Sequence, residues 1–237
     1  MNKFSIGVII VIIALFGGMV IYNSVQKKDN GTDYSVYDAS KIINDTENTG
    51  GIAEHVRGKA DSAVVLVEYA DFQCPGCASM MPKIDKLYEK YKDKVAFVFR
   101  NYPITGHQNA RSAAAAAESA NLQGYFWEMA SALYANRTDW IAESGESRTE
   151  KYVEIFKVAA PEGDVDAFKK ELESNKNFEK KINFDVNIGR ERSKVSATPA
   201  FYVNGDAIPI GDKDSLDDLV NNIEKKINEK LAENNLL

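Results

Sequence analysis

Cys74-Pro75-Gly76-Cys77 holds both cysteines of the 237-residue chain. It lies where an apolar run, Ala63 to Val67 followed by Glu68-Tyr69-Ala70-Asp71-Phe72, gives way to a helical pattern. A strand that runs directly into a cysteine-led helix points to an α/β framework. Two intervening residues let the sulfurs close a small ring, while the unpaired N–H groups and positive dipole end of the first helical turn stabilise a thiolate. The pair is therefore a candidate redox site. Two other readings stand beside it. A permanent disulfide would close a loop too short to remove much unfolded-chain entropy. Structural zinc would need four ligands, and His55 and His107 are the chain's remaining sulfur or imidazole donors.

With 44% hydrophobic residues the chain can bury one sizeable core and leave its N-terminus as an appendage. Phe4 to Tyr22 is apolar apart from Ser5 and small glycines, and a helix of that length spans about 28 Å, enough for a bilayer's hydrocarbon core. The run ends in Met19-Val20-Ile21-Tyr22-Asn23, without a small-x-small cleavage site. Residues 1–22 are thus expected to form an uncleaved transmembrane anchor. Lys3 precedes the span and Lys27 and Lys28 follow it, so the basic residues do not orient it. Residues 23–51, polar and rich in Asp, Asn, Ser, Thr and Gly, read as a flexible linker, and residues 52–237 as one globular domain. The net charge of −6 is dispersed, with bases scattered among acids, so nucleic acid is not an expected partner. Two cysteines confined to one motif leave no stray thiol to mispair in an oxidising compartment.

Within the domain, Ala63–Ala70 is a continuous β-branched and apolar run, as in a strand covered on both faces. Residues 75–91 carry Met80, Met81, Ile84, Leu87, Tyr88 and Tyr91 at helical spacing, with Pro82 predicting a kink. Val95–Arg100 reads as a second strand, parallel to the first through this crossover. Helical segments follow over 108–121, 125–135, 150–159, 165–174 and 177–193, an insertion spanning about residues 104–194. Ala200–Val203 and Ala207–Ile210 flank Asn204-Gly205, a hairpin signal. A last helix, 215–231, has Leu216, Leu219, Val220, Ile223, Ile227 and Leu231 on one stripe, its charges facing solvent. Phe126, Trp127, Tyr134 and Trp140 read as core.

The order strand, CxxC-led helix, strand, helical insertion, Thr-Pro, hairpin and final helix resembles the DsbA-like thiol-disulfide oxidoreductases of the thioredoxin superfamily. The stretch Val67-Glu68-Tyr69-Ala70-Asp71-Phe72-Gln73-Cys74-Pro75-Gly76-Cys77 is similar to their membrane-anchored bacterial branch. The resemblance covers about residues 52–237 and implies a thioredoxin-like α/β fold with a helical insertion, preceded here by the transmembrane helix. It implies that Cys74 is the exposed nucleophile and Cys77 the buried resolving partner. It further places Thr198-Pro199 as a cis-proline facing the pair, where the backbone before the proline is free to bind an extended substrate and the threonine hydroxyl tunes the sulfur. A trans proline opening a strand is the plainer alternative. Glu68, six residues before Cys74, matches the family's buried acid, exchanging protons with Cys77. The alternative is a strand glutamate paired with Lys94 or Arg100. His55 and His107 read as loop hydrogen-bonders. The dipeptide Pro75-Gly76 departs from the Pro-His of the family's best-known oxidant, and glycine brings neither charge nor side-chain hydrogen bond to the thiolate.

The expectation is a membrane-tethered extracytoplasmic enzyme, monomeric, that donates the Cys74–Cys77 disulfide to reduced exported proteins. It would need no metal or organic cofactor and would be reoxidised by a quinone-linked membrane protein of the DsbB or VKOR-like kind. A reductase or isomerase using the same pair is one rival, and an anchored binding or chaperone module with a structural disulfide is another.

Overall fold

The computed structural model describes residues 31–211 and 214–236. The expected anchor over residues 1–22 lies outside them. Among the described residues no helix is long and apolar enough to cross a membrane.

Five strands form one sheet: β1 (His55–Gly58), β2 (Val65–Ala70), β3 (Ala96–Asn101), β4 (Ala200–Val203) and β5 (Asp206–Ala207), in the order β1-β3-β2-β4-β5. β2 and β3 are parallel, as the crossover pattern predicts, and the remaining pairs are antiparallel. β2 and β3 are buried along their whole length, which is why both read as nearly unbroken apolar runs. β1 carries no such signal. It is four residues long, half polar, and held at the edge by β3.

Helix α1 (Pro75–Tyr91) crosses from β2 to β3 and remains one helix through Pro82. The insertion follows as α2 (Ala110–Asn121), α3 (Phe126–Ala135), the short α4 (Arg137–Trp140), α5 (Gly145–Ala159), α6 (Val165–Ser174) and α7 (Asn177–Ile188). A wider turn over Gly189–Ser193 ends α7. Gly189 is required there, because a Cβ would come within 2.9 Å of both the Tyr69 and Tyr102 rings. The final helix, α8 (Leu216–Glu233), starts with a reciprocal cap between Ser215 and Asp218, a device worth about 1 kcal/mol.

The two faces of the sheet follow the alternation of β2. Leu66 points to the side covered by α1 and α8, where Met80, Ile84, Leu87, Leu219, Ile223, Ile227 and Leu231 are buried. Val65, Val67 and Tyr69 point to the other side, against Phe184 and Ile188 of the α7 region. A third core fills the insertion and reaches Phe72, Cys74 and Cys77 at the end of β2.

The linker expected over residues 23–51 is corrected in its second half. The chain divides at 33/34 rather than 51/52, and the segment from Tyr34 onward is packed. Tyr34 and Ile43 are buried, and Tyr37 meets Phe184 edge-on at 4.9 Å. Arg100, fully buried on β3, has a partner for every N–H donor, two of them carbonyls of this segment. Its Nε and Nη2 donate to Glu54 Oε1 and Oε2 at 2.6 and 3.0 Å, and Nη1 and Nη2 donate to the Ala39 and Lys41 carbonyls at 2.8 Å. Nη1 also donates to the Tyr69 hydroxyl at 2.9 Å. A buried guanidinium needs every such partner, and the segment's scattered aromatic and isoleucine residues supply the apolar cover. Nothing periodic marks that packing in the sequence. β5 is also shorter than the run Ala207–Ile210. Asn204, with φ 48°, spends its side chain on Val65 N–H and the Ala63 carbonyl, tying the hairpin to the start of β2.

Candidate active site

The end of β2 is built as a tight turn that delivers Cys74 to the start of α1. Asp71 Oδ1 accepts from Gln73 N–H at 2.7 Å, the Asp71 carbonyl accepts from Cys74 N–H at 3.0 Å, and the Cys74 carbonyl accepts the first helical bond, from Ala78. Cys74 is the N-cap, with extended φ and ψ. Pro75 follows at the first helical position, where its missing N–H costs nothing. The second Asp71 oxygen accepts from Ile104 N–H at 2.8 Å and meets His107 Nδ1 at 2.7 Å. The turn is further held by Asn109 N–H on Gln73 Oε1 and by Arg137 Nε on the Gln73 carbonyl, at 2.8 and 2.6 Å.

Both cysteines are free thiols, in contrasting settings. Cys74 keeps an 8% exposed edge, whereas Cys77, one turn into the helix, is sealed at 0%. The Cys77 thiol, donating to the Cys74 sulfur, is the main reason that Cys74 is held down at about 5. Burial opposes that shift, and the Cys77 N–H, the Thr198 hydroxyl and the Gly76 N–H reinforce it. Burial pushes the Cys77 thiol well up, and the neighbouring Cys74 adds to the shift. At neutral pH the pair is thus a thiolate at the rim and a thiol beneath it.

Thr198-Pro199 is cis and lies against this pair. The Cys74 sulfur lies 3.4 Å from the Thr198 carbonyl, to which it donates when protonated. A Cβ on Gly76 would sit 3.3 Å from Pro199 Cδ and 3.6 Å from Cys74 Sγ. Glycine at position 76 therefore leaves the sulfur and the proline loop in direct apposition. Thr198 Oγ1 is buried, and among the described residues the Cys74 sulfur, as a thiolate, is the acceptor open to it.

Glu68 sits on β2 between Phe99 of β3 and Phe201 of β4, on the same face as Leu66 and so beneath α1. It is 6% exposed, and its carboxyl makes no hydrogen bond or ion pair among the described residues. Burial pushes it up to about 7; Arg57 pulls the other way and Asp85 adds to the rise. The ion-pair alternative through Arg100 is not formed, since Arg100 is committed to Glu54. Arg57 is instead bonded to Asp85 at 2.8 Å and sandwiched between Tyr88 and Trp127, 4.4 and 4.5 Å from their ring centroids. His55 is fully buried, stacked on Phe126 and bonded to Glu118 at 2.9 Å. Phe126, Tyr134 and Trp140 are core, as expected, and Trp127 packs partly buried against them.

Some residues around the pair carry no advance signal. Asp71 and His107 are joined only by the fold, and Arg137 lies on a helix of four residues. Asp71 alone had a local cue, an acid two residues before a turn N–H it can accept from. Chemically, the arrangement offers a stabilised thiolate at the rim, a thiol beneath it, and on β2 an acid poised near neutrality that acts electrostatically on the inner sulfur.

A cysteine pair opening the helix after a central strand, opposite a cis-proline, defines a thioredoxin-class redox fold. Residues 51–225 match a family model described as thioredoxin, and the chain belongs to the DsbA-like thiol-disulfide oxidoreductases of that family. Among its relatives, the probable disulfide bond formation protein D of Bacillus anthracis is 32% identical over 211 residues, covering 85% of each chain. The Na(+)/H(+) antiporter NhaA 1 of Mycolicibacterium vanbaalenii is 32% identical over 154 residues, 64% of this chain. The chain spans only 23% of that relative's length. The oxidised crystal structure of BdbD from Bacillus subtilis superposes with a TM-score of 0.62 at 24% identity, covering 82% of this chain and all of that one. This likeness establishes the shared fold.

Proposed function

We propose that the protein is an extracytoplasmic dithiol oxidase that passes the Cys74–Cys77 disulfide to reduced exported proteins. The observation that carries this reading is the contrast between the two sulfurs. A substrate thiolate attacks Cys74 Sγ, the S–S bond breaks, and Cys77 leaves as a thiolate and takes a proton from Glu68. A second substrate thiolate then attacks the substrate sulfur of the mixed disulfide. Cys74 leaves as the stabilised thiolate, and the two electrons of the new substrate disulfide remain in the pair. A low-pKa leaving group favours this last step, so the Cys74 environment supports oxidation of the substrate over its reduction.

Thr198-Pro199, lying against the sulfur, is the proposed seat for an extended substrate segment. Pro75 and Gly76 keep the approach to Cys74 short. The apolar run Phe4–Tyr22 supports a single-pass anchor that holds the domain at the outer membrane face. There a quinone-linked membrane protein of the DsbB or VKOR-like kind would accept the electrons.

The pH dependence of alkylation tests the sulfur assignment. In the reduced full chain, iodoacetamide should modify Cys74 alone, with a rate midpoint near 5. A midpoint near the ordinary 9.0, or equal modification of Cys77, would count against it.

A further inference from the structure

Tyr134 on α3 has a feature that core packing does not explain. The helix packs against α1, the tyrosine ring lies 5.0 Å from Phe72, and the side chain belongs to the core that contains Cys74 and Cys77. The residue is 6% exposed, and its hydroxyl is buried with no hydrogen-bond partner. Such a group costs stability that phenylalanine would not. Burial above all, and then the neighbouring Cys77, Glu68, Asp71 and Cys74, hold the hydroxyl in its protonated form. The orphan donor thus shares its core with both sulfurs.

In the dithiol state the Cys77 thiol is itself the donor, to Cys74. The Cys77 sulfur then has no need of a donor of its own. The need arises when a substrate opens the disulfide, because Cys77 departs as an anion in a site that disfavours charge. Resting on the oxidase reading above, we infer that the Tyr134 hydroxyl donates a hydrogen bond to the departing Cys77 sulfur, holding the thiolate until Glu68 supplies its proton. The tyrosine keeps its own proton. The bond broken is S–S, the bond formed joins substrate sulfur to Cys74 Sγ, and the proton moves from the Glu68 carboxyl to Cys77. Hydrogen bonds to charged acceptors are the strong ones, and a buried site strengthens them further.

Tyr134→Phe removes the hydroxyl and nothing else. In the full chain, opening of the oxidised pair by reduced glutathione should slow about tenfold or more. The melting temperature of the dithiol form should stay level or rise, since an unpartnered buried hydroxyl is lost. The reduction potential should not move, because Cys77 is a thiol at one end of the reaction and disulfide-bonded at the other. A purely structural tyrosine would instead shift stability and potential together. An unchanged opening rate, or a slower rate matched by lost stability, would overturn the Tyr134 assignment alone. A wild-type pair that glutathione does not open would remove the oxidase reading with it.

Discussion

Cys74→Ser is expected to return oxidation of a dithiol peptide to its uncatalysed rate, whereas Cys77→Ser should stall as a covalent adduct. The two sulfurs differ in reach as well as in proton affinity. Cys74 has the exposed edge and the stabilised thiolate, so its loss removes the atom the substrate must attack. The effect belongs with deletion of a covalent nucleophile, on the order of 10⁴-fold or more. Cys77→Ser retains that atom and removes the thiol that would expel a bound partner. Treated with oxidised glutathione, it should accumulate a long-lived mixed disulfide at Cys74, visible in the intact mass. Peptide oxidation by either variant at the wild-type rate would sink the assignment.

Glu68→Gln is expected to stabilise the protein at alkaline pH and to slow it below neutrality. The acid's folded value of about 7 lies above its ordinary 4.5, because a carboxylate is costly between Phe99 and Phe201. The folded state therefore holds this proton more tightly than the unfolded chain. Its stabilising contribution is complete below about 4.5 and is lost as pH rises through about 7. Above that pH the fold carries a buried anion at a cost of up to about 3 kcal/mol, which glutamine does not incur. Urea midpoints of variant and wild type should coincide near pH 4 and separate toward pH 8, with the variant higher. Below about pH 7, where Glu68 still carries its proton, disulfide opening should slow on the order of 10²-fold, the scale of a lost proton donor, and the difference should fade at higher pH. A variant no more stable at pH 8, or as fast as wild type below neutrality, would show that Glu68 is a neutral filler of the strand.

These expectations divide between what the chain announces and what only the fold assembles. Strands β2 and β3, helix α1 and the Asn204-Gly205 hairpin were legible because burial on both faces, a stripe at helical spacing and a turn pair each leave a local trace. Cys74, Cys77, Glu68, Thr198 and Pro199 are legible as a constellation; the structure sets Thr198-Pro199 against the cysteine pair, while Glu68 lies within β2 beneath α1. Other features have long-range causes. β1 is a strand because β3 offers it an edge, and residues 34–51 are ordered because Arg100 needs their carbonyls. Tyr134 reads in sequence as one more aromatic of an apolar helix. Its significance rests on a missing hydrogen bond, and spacing cannot reveal that.

The reduction potential of the Cys74–Cys77 pair, measured in the full chain by equilibration with glutathione, tests the central claim most directly. A thiolate held near 5 favours the reduced form and makes the disulfide a willing donor, so the potential should lie above about −200 mV. A value near about −270 mV would make the pair a better reductant than oxidant and contradict the proposed direction of electron flow.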